Sequence, residues 1–186
     1  MKGKKVWKSI PLVSLVGITL VVILGQALAQ NNMIMDSSFE LSDLNGNAKY
    51  WKTETGGKAT IVNNESHNGN QSLAFESSGE KATKTYNLSF IINPKSFYRI
   101  GIVAKISALN YSTRFEIRPL GKEQPIFALM AIPQVNKWQG WHVYEEIFYP
   151  EEHDINTQTA VELAIVRSDI TGTAWFDDVL FELIPS

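Results

Sequence analysis

Apolar and polar residues alternate with period two in one run after another of this chain, and no stretch sustains helical spacing, so its core must be built from short extended segments. From Phe97 to Ile106, Tyr98, Ile100, Ile102, Ala104 and Ile106 share a face, opposite Arg99, Gly101, Val103 and Lys105. Phe115 and Ile117 likewise oppose Arg114, Glu116 and Arg118. Trp141, Val143, Glu145, Ile147 and Tyr149 oppose His142, Tyr144, Glu146 and Phe148. Further strands are predicted at 58–63, 71–76, 82–90, 126–132, 159–167 and 174–184. Turn chemistry separates them, at Asn45-Gly46-Asn47, Gly56-Gly57, Asn68-Gly69-Asn70, Asn93-Pro94, Gly121, Pro133, Pro150 and Thr171-Gly172. About eight to ten short strands with no helix between them predict an all-β fold, a two-sheet antiparallel jelly-roll β-sandwich.

The alternation begins only after a different kind of segment. Residues 1–29 hold Lys2, Lys4, Lys5 and Lys8, no acid, an apolar run from Ile10 to Leu24, and Ala27-Leu28-Ala29 before Gln30. That is the layout of a secretory signal cleaved after Ala29. The alternative is an uncleaved anchor, since the run approaches the ~20 residues that span a bilayer. Either way the body, residues 30–186, is expected outside the cytoplasm, secreted or periplasmic, or held at a membrane facing outward. It is expected to be one domain.

Charge and cysteine content narrow the function classes. Without the leader, 13 of the 17 basic residues remain against all 19 acidic ones, a balance that argues against a nucleic-acid-binding face. The chain has no cysteine, so neither a disulfide nor a thiol nucleophile is available. The three histidines, His67, His142 and His153, lack the spacing of a zinc site. No Gly-x-Ser-x-Gly elbow or phosphate-binding loop is present. Glu116 and Glu146 are the one pair of carboxylates with a conceivable hydrolytic role, because glycoside hydrolysis needs only two at a set separation. The chain is therefore expected to bind rather than transform.

Both ends of the body carry recognisable stretches: Asn32-Met33-Ile34-Met35-Asp36-Ser37-Ser38-Phe39-Glu40 and Ala174-Trp175-Phe176-Asp177-Asp178-Val179-Leu180-Phe181. Between them stand Tyr50-Trp51, Ser66-His67-Asn68-Gly69-Asn70-Gln71-Ser72-Leu73, and Gly140-Trp141 through Phe148-Tyr149-Pro150. In order and spacing this set resembles the carbohydrate-binding modules of families four, nine and twenty-two, which are galactose-binding-like sandwiches. The resemblance implies that the two ends lie together and that a structural calcium ion joins them. Carried over, Glu40 and Asp177 would give carboxylates and the backbone near Ser38 and Asn70 would give carbonyls. Such a set suits an ion that takes six to eight oxygens at about 2.3–2.6 Å.

The resemblance also implies a glycan ligand. A sugar lays its C–H face on an aromatic ring while polar side chains bond its hydroxyls. Trp51, Trp138 and Tyr144 are the candidate rings; for Trp51, core packing is an equal alternative. Arg99, Arg114, Glu116, Arg118 and Glu146 are the polar candidates. Trp141 and Trp175, in apolar phase, are expected in the core. One departure stands out: where the family often reads Ser-Phe-Trp-x-Lys, this chain has Gly101-Ile102-Val103-Ala104-Lys105. The rival function is a structural or protein-interaction sandwich that has lost its sugar site.

Overall fold

A computed structural model describes residues 32–56, 59–75, 82–86, 88–106, 113–131, 140–167 and 172–185. The expected leader, residues 1–29, lies outside them. The strands run β1 (Trp51–Gly56), β2 (Ala59–Val62), β3 (Ser72–Phe75), β4 (Ala82–Tyr86), β5 (Phe90–Ile92), β6 (Phe97–Ile106), β7 (Thr113–Pro119), β8 (Phe127–Ala131), β9 (His142–Phe148), β10 (Thr159–Arg167) and β11 (Ala174–Ile184). Only a short 3₁₀ helix, Pro150–His153, interrupts them among the described residues. It ends on Asp154 in the left-handed region, at φ 62°.

All pairing is antiparallel. One sheet has the order β1-β4-β10-β7-β8 with β5 also on β10; the other has the order β2-β3-β11-β6-β9. The stretch expected as one strand over 82–90 is two. β4 pairs Ala164–Arg167 and β5 pairs Thr159–Val161, so both follow the same edge of β10, one after the other. β1 was not predicted; it joins β4 through a register shift between Thr53 and Thr55, which obscures its alternation.

The inward faces are those that the alternation identifies on β6 and β7. Ile100, Ile102 and Ala104 meet Phe115, Ile117, Val161, Leu163 and Ile165 in one buried cluster. Through it runs a chain of aromatic contacts with ring centroids 5.1–5.7 Å apart: Phe39 to Trp51, Trp51 to Tyr86, Tyr86 to Phe90, Phe90 to Phe181 and Phe181 to Tyr98. Buried Arg167 ties the sheets at one end, donating to the carbonyl oxygens of Phe75 (2.8 Å) and Gly172 (2.9 Å).

Candidate functional site

The two ends of the body meet. Met33 N–H donates to the Phe181 carbonyl (2.8 Å) and Val179 N–H to that of Ser37 (2.8 Å), which lays the stretch after Asn32 along β11. Three non-glycine residues here are left-handed, and besides Asp36 (φ 53°) two flank the clip: buried Phe39 at φ 58° and Asp178 at φ 43°, the latter inside a β11 register shift between Asp177 and Leu180. Such backbones cost about 1–3 kcal/mol each and persist where their surroundings over-determine them. Phe39 and Asp178 each directly adjoin a carboxylate that reaches the 66–71 turn.

Glu40 Oε1 accepts from the N–H groups of Asn70 (2.8 Å) and Gln71 (2.9 Å). Asp177 Oδ2 accepts from those of His67 (2.9 Å) and Asn68 (3.1 Å), and its Oδ1 from that of Asp178 (2.9 Å). Gly69, at φ 69°, leaves room for Glu40, whose carboxylate would collide with any Cβ there. This clip draws in three of the four positions that the resemblance assigns to calcium: Glu40, Asp177 and Asn70. Its polarity, however, is wrong for a shared cation. Calcium needs converging oxygens, whereas the turn offers both carboxylates its N–H edge. Near Ser38, it is the Ser37 carbonyl that bonds β11. The residues present do not fit a calcium ion between the two ends, and hydrogen bonds close the clip.

The clip carries a pH signature. Burial pushes Asp177 up to about 6 from its ordinary 3.8, against the pull of its three N–H donors. Well below pH 3.8 both folded and unfolded forms are protonated. As pH rises towards 6, the unfolded chain releases this proton first, and the stabilising contribution is lost through the folded pKa. Between pH 4 and 7, in chelator, wild type is expected to lose about 1–2 kcal/mol of unfolding free energy relative to Asp177→Asn. Urea titrations at the two pH values measure it; a constant difference would contradict the assignment.

The polar ligand candidates divide between the sheets. Arg114, Glu116 and Arg118 form a row on β7, on the face turned away from the core. The Arg114 Nε–H donates to Glu116 Oε1, and the Arg118 Nε–H donates to Glu116 Oε2 at 2.6 Å. Glu116 and Arg118 are buried, while the Arg114 side chain is 26% exposed. Across the register on β10, buried Glu162 stands opposite Arg118 and the small Ala164 opposite Glu116. Arg99 is on the other sheet, paired with Glu145 (3.2 Å) and Glu182 (3.7 Å). Glu146 is on β9, so it shares no strand or sheet with Glu116, and the carboxylate pair considered for hydrolysis does not assemble.

The expected ring platform is not assembled either. Trp51 is 2% exposed, in the core between Phe39 and Tyr86, and is unavailable to a ligand. Tyr144 lies opposite Ile102 on the inner face of edge strand β9, half-buried, and burial pushes its phenol up from the ordinary value. Trp138 falls outside the described residues, in the segment between β8 and β9.

Trp141 and Trp175, expected in the core, are instead half-buried on the outer face of the five-stranded sheet. In β11 it is Ala174 and Phe176 that point inward, which turns Trp175 out beside Lys105 of β6. Phe148 takes β9's inward phase, so Val143 faces out at 66% exposure, and Trp141 precedes it in the same phase. The acid within that phase, Glu145, was the sequence signal that it faces water. Gly101, on this face, is overlaid by Leu180 and Glu145, where an added Cβ would lie 3.3 Å from the Tyr144 carbonyl oxygen.

No protein-family model matches the sequence, and no curated protein is significantly similar to it. Solved structures do share its architecture. The CBM22-1 xylan-binding domain from Paenibacillus barcinonensis Xyn10C superposes with a TM-score of 0.52 at 16% identity, over 84% of this chain and 97% of that one. A cyclase from Fischerella sp. TAU gives a TM-score of 0.62 at 12% identity, over 84% and 98%. The enzymatically active domain of bacteriophage CBA120 tailspike protein 4 gives 0.54 at 20% identity over 82% of this chain, which spans 21% of that protein. Carbohydrate-binding modules of families 61 and 16 also match over nearly their full length. The fold is the two-sheet antiparallel β-sandwich that these structures share; at these identities the likeness carries the fold alone.

Proposed function

We propose that this protein is an exported, non-catalytic glycan-binding module whose sugar site lies on the β7–β10 face and is entered at Arg114. The observation that carries this reading is the Arg114–Glu116–Arg118 row. A buried ion-paired row adds little to stability compared with apolar residues of similar volume, so its presence on an interior strand is better accounted for by recognition. Glu116 holds both guanidinium groups in place, and Arg114 keeps donors free to meet sugar hydroxyls. The xylan-binding neighbour supports a glycan as the ligand class.

Export rests on the leader pattern of residues 1–29, with outward-facing membrane attachment as the alternative if the leader is retained. Among the described residues, no helix is long and apolar enough to cross a membrane. A second reading, a sandwich that serves protein interaction without sugar, is favoured by one observation: Trp51 and Tyr144 do not join the arginine row.

A glycan array probed with wild type and Arg114→Ala tests the proposal. Wild type is expected to bind at least one oligosaccharide class, and Arg114→Ala to weaken it by about ten- to a hundredfold, the loss of charge-assisted hydrogen bonds. Silence across the array would favour the second reading, and equal binding by the variant would overturn the placement of the sugar site at Arg114.

A further inference from the structure

The outer face of the five-stranded sheet carries an aromatic assembly that the arginine row does not explain. Trp175 lies directly across from Lys105 in the β11–β6 register. His142 pairs Ala104 in the β6–β9 register, so Trp141, the residue before it, falls beside Lys105 on the other side. The order across three neighbouring strands is therefore Trp175, Lys105, Trp141. The two tryptophans stand two strand spacings apart, roughly 10 Å, the span of two linked pyranose rings.

The assembly is held rigidly. Lys105 Nζ sits 5.5 Å from the Trp175 ring centroid and 2.7 Å from Glu65 Oε2. The other carboxylate oxygen of Glu65 accepts the Trp141 indole N–H at 3.1 Å. Glu65 is itself anchored, its carbonyl accepting from the Ser72 hydroxyl at 2.6 Å. His67 places its ring 5.8 Å from that of Trp141 and bonds Asp178 Oδ2 through Nδ1 at 2.6 Å. Side chains fixed in this way lose little freedom when a ligand arrives.

We propose that this surface is a second glycan-binding site, separate from the arginine row, at which an uncharged oligosaccharide chain lies across the strands over Trp141 and Trp175. The chemistry selects the ligand class. Lys105 pairs with Glu65, and Asp178 bonds the His67 ring, so the ammonium and both carboxylates are already engaged and are not presented to an ionic ligand. Two indoles offer flat apolar faces, and a rim of partly exposed polar groups offers hydrogen bonds. A pyranose chain has the matching combination of C–H faces and peripheral hydroxyls. A lipid surface would leave that polar rim unsatisfied.

The test follows the indole N–H and arginine Nε–H resonances of the full chain by NMR during titration with xylohexaose, cellohexaose and β-1,4-galactotriose, in wild type and in Arg114→Ala. At least one probe is expected to shift the Trp141 and Trp175 indole signals, and to do so in both proteins. Trp141→Ala, placed on the Arg114→Ala background, is expected to weaken the remaining binding at least about tenfold. His67→Ala, which leaves both indoles in place, is expected to weaken it measurably should the tryptophan variant fold poorly. Movement of the Arg114 signal with both indoles silent would overturn this second site and leave the arginine site standing. Indole shifts with Arg114 silent would do the reverse, and silence at both overturns both.

Discussion

Trp51→Ala is expected to lower the unfolding free energy by about 3–5 kcal/mol, as deletion of a fully packed indole does, and the Tm by roughly 6–20 °C. The size follows from its position. Trp51 touches Phe39 at 5.6 Å and Tyr86 at 5.1 Å between ring centroids, and Tyr86 in turn bonds the N-terminal stretch, its hydroxyl oxygen accepting from Met35 N–H at 2.6 Å. Losing the indole opens a cavity between the first strand and the segment that presents Glu40, so the clip weakens with the core. A ligand-contacting Trp51 would give the opposite pattern, with near-native stability and reduced binding. Thermal melts separate the two outcomes.

Glu116→Ala is expected to be comparably severe, about 3–5 kcal/mol, because it removes the fully buried carboxylate that bonds two guanidinium groups. Arg114→Ala removes only the more exposed end of the row and is expected to cost no more than about 1 kcal/mol. The contrast isolates the roles assigned to the row. Both variants should lose binding at the arginine row, Glu116→Ala through loss of the scaffold and Arg114→Ala through loss of the contact. Chemical denaturation of both proteins checks the stability half; equal destabilisation would mean that Arg114 is as structural as Glu116.

What the sequence made legible depended on how local the signal was. The alternation from Phe97 to Ile106 identified the inward face of β6, and β10 and β11 span the predicted 159–167 and 174–184. The motif residues Phe39-Glu40 and Asp177 brought the chain ends together as expected, because their partners are backbone groups of a single turn. The polarity of that turn was hidden, since whether it shows N–H or C=O to a carboxylate is a matter of dihedral angles that residue names do not encode. The tryptophans mark the limit of local signal. Trp51 follows a turn-rich stretch that leaves core packing and ligand contact equally open, and its burial arises from contacts with residues distant in sequence. Trp141 and Trp175 were judged by hydrophobicity, but where two apolar phases compete, the strand turns inward the residues that complete the core, here Phe148 and Phe176. The charged row of β7 was visible as alternation; its burial depended on the neighbouring strand, where Ala164 lies beside Glu116.

The most direct test of the account is the location of the bound sugar. With the oligosaccharide that ranks first on the array, backbone amide shifts should map to residues 113–119 and 161–167, together with the Arg114 Nε–H. Shifts that leave those strands untouched, whichever other surface they mark, would contradict a sugar site on the β7–β10 face.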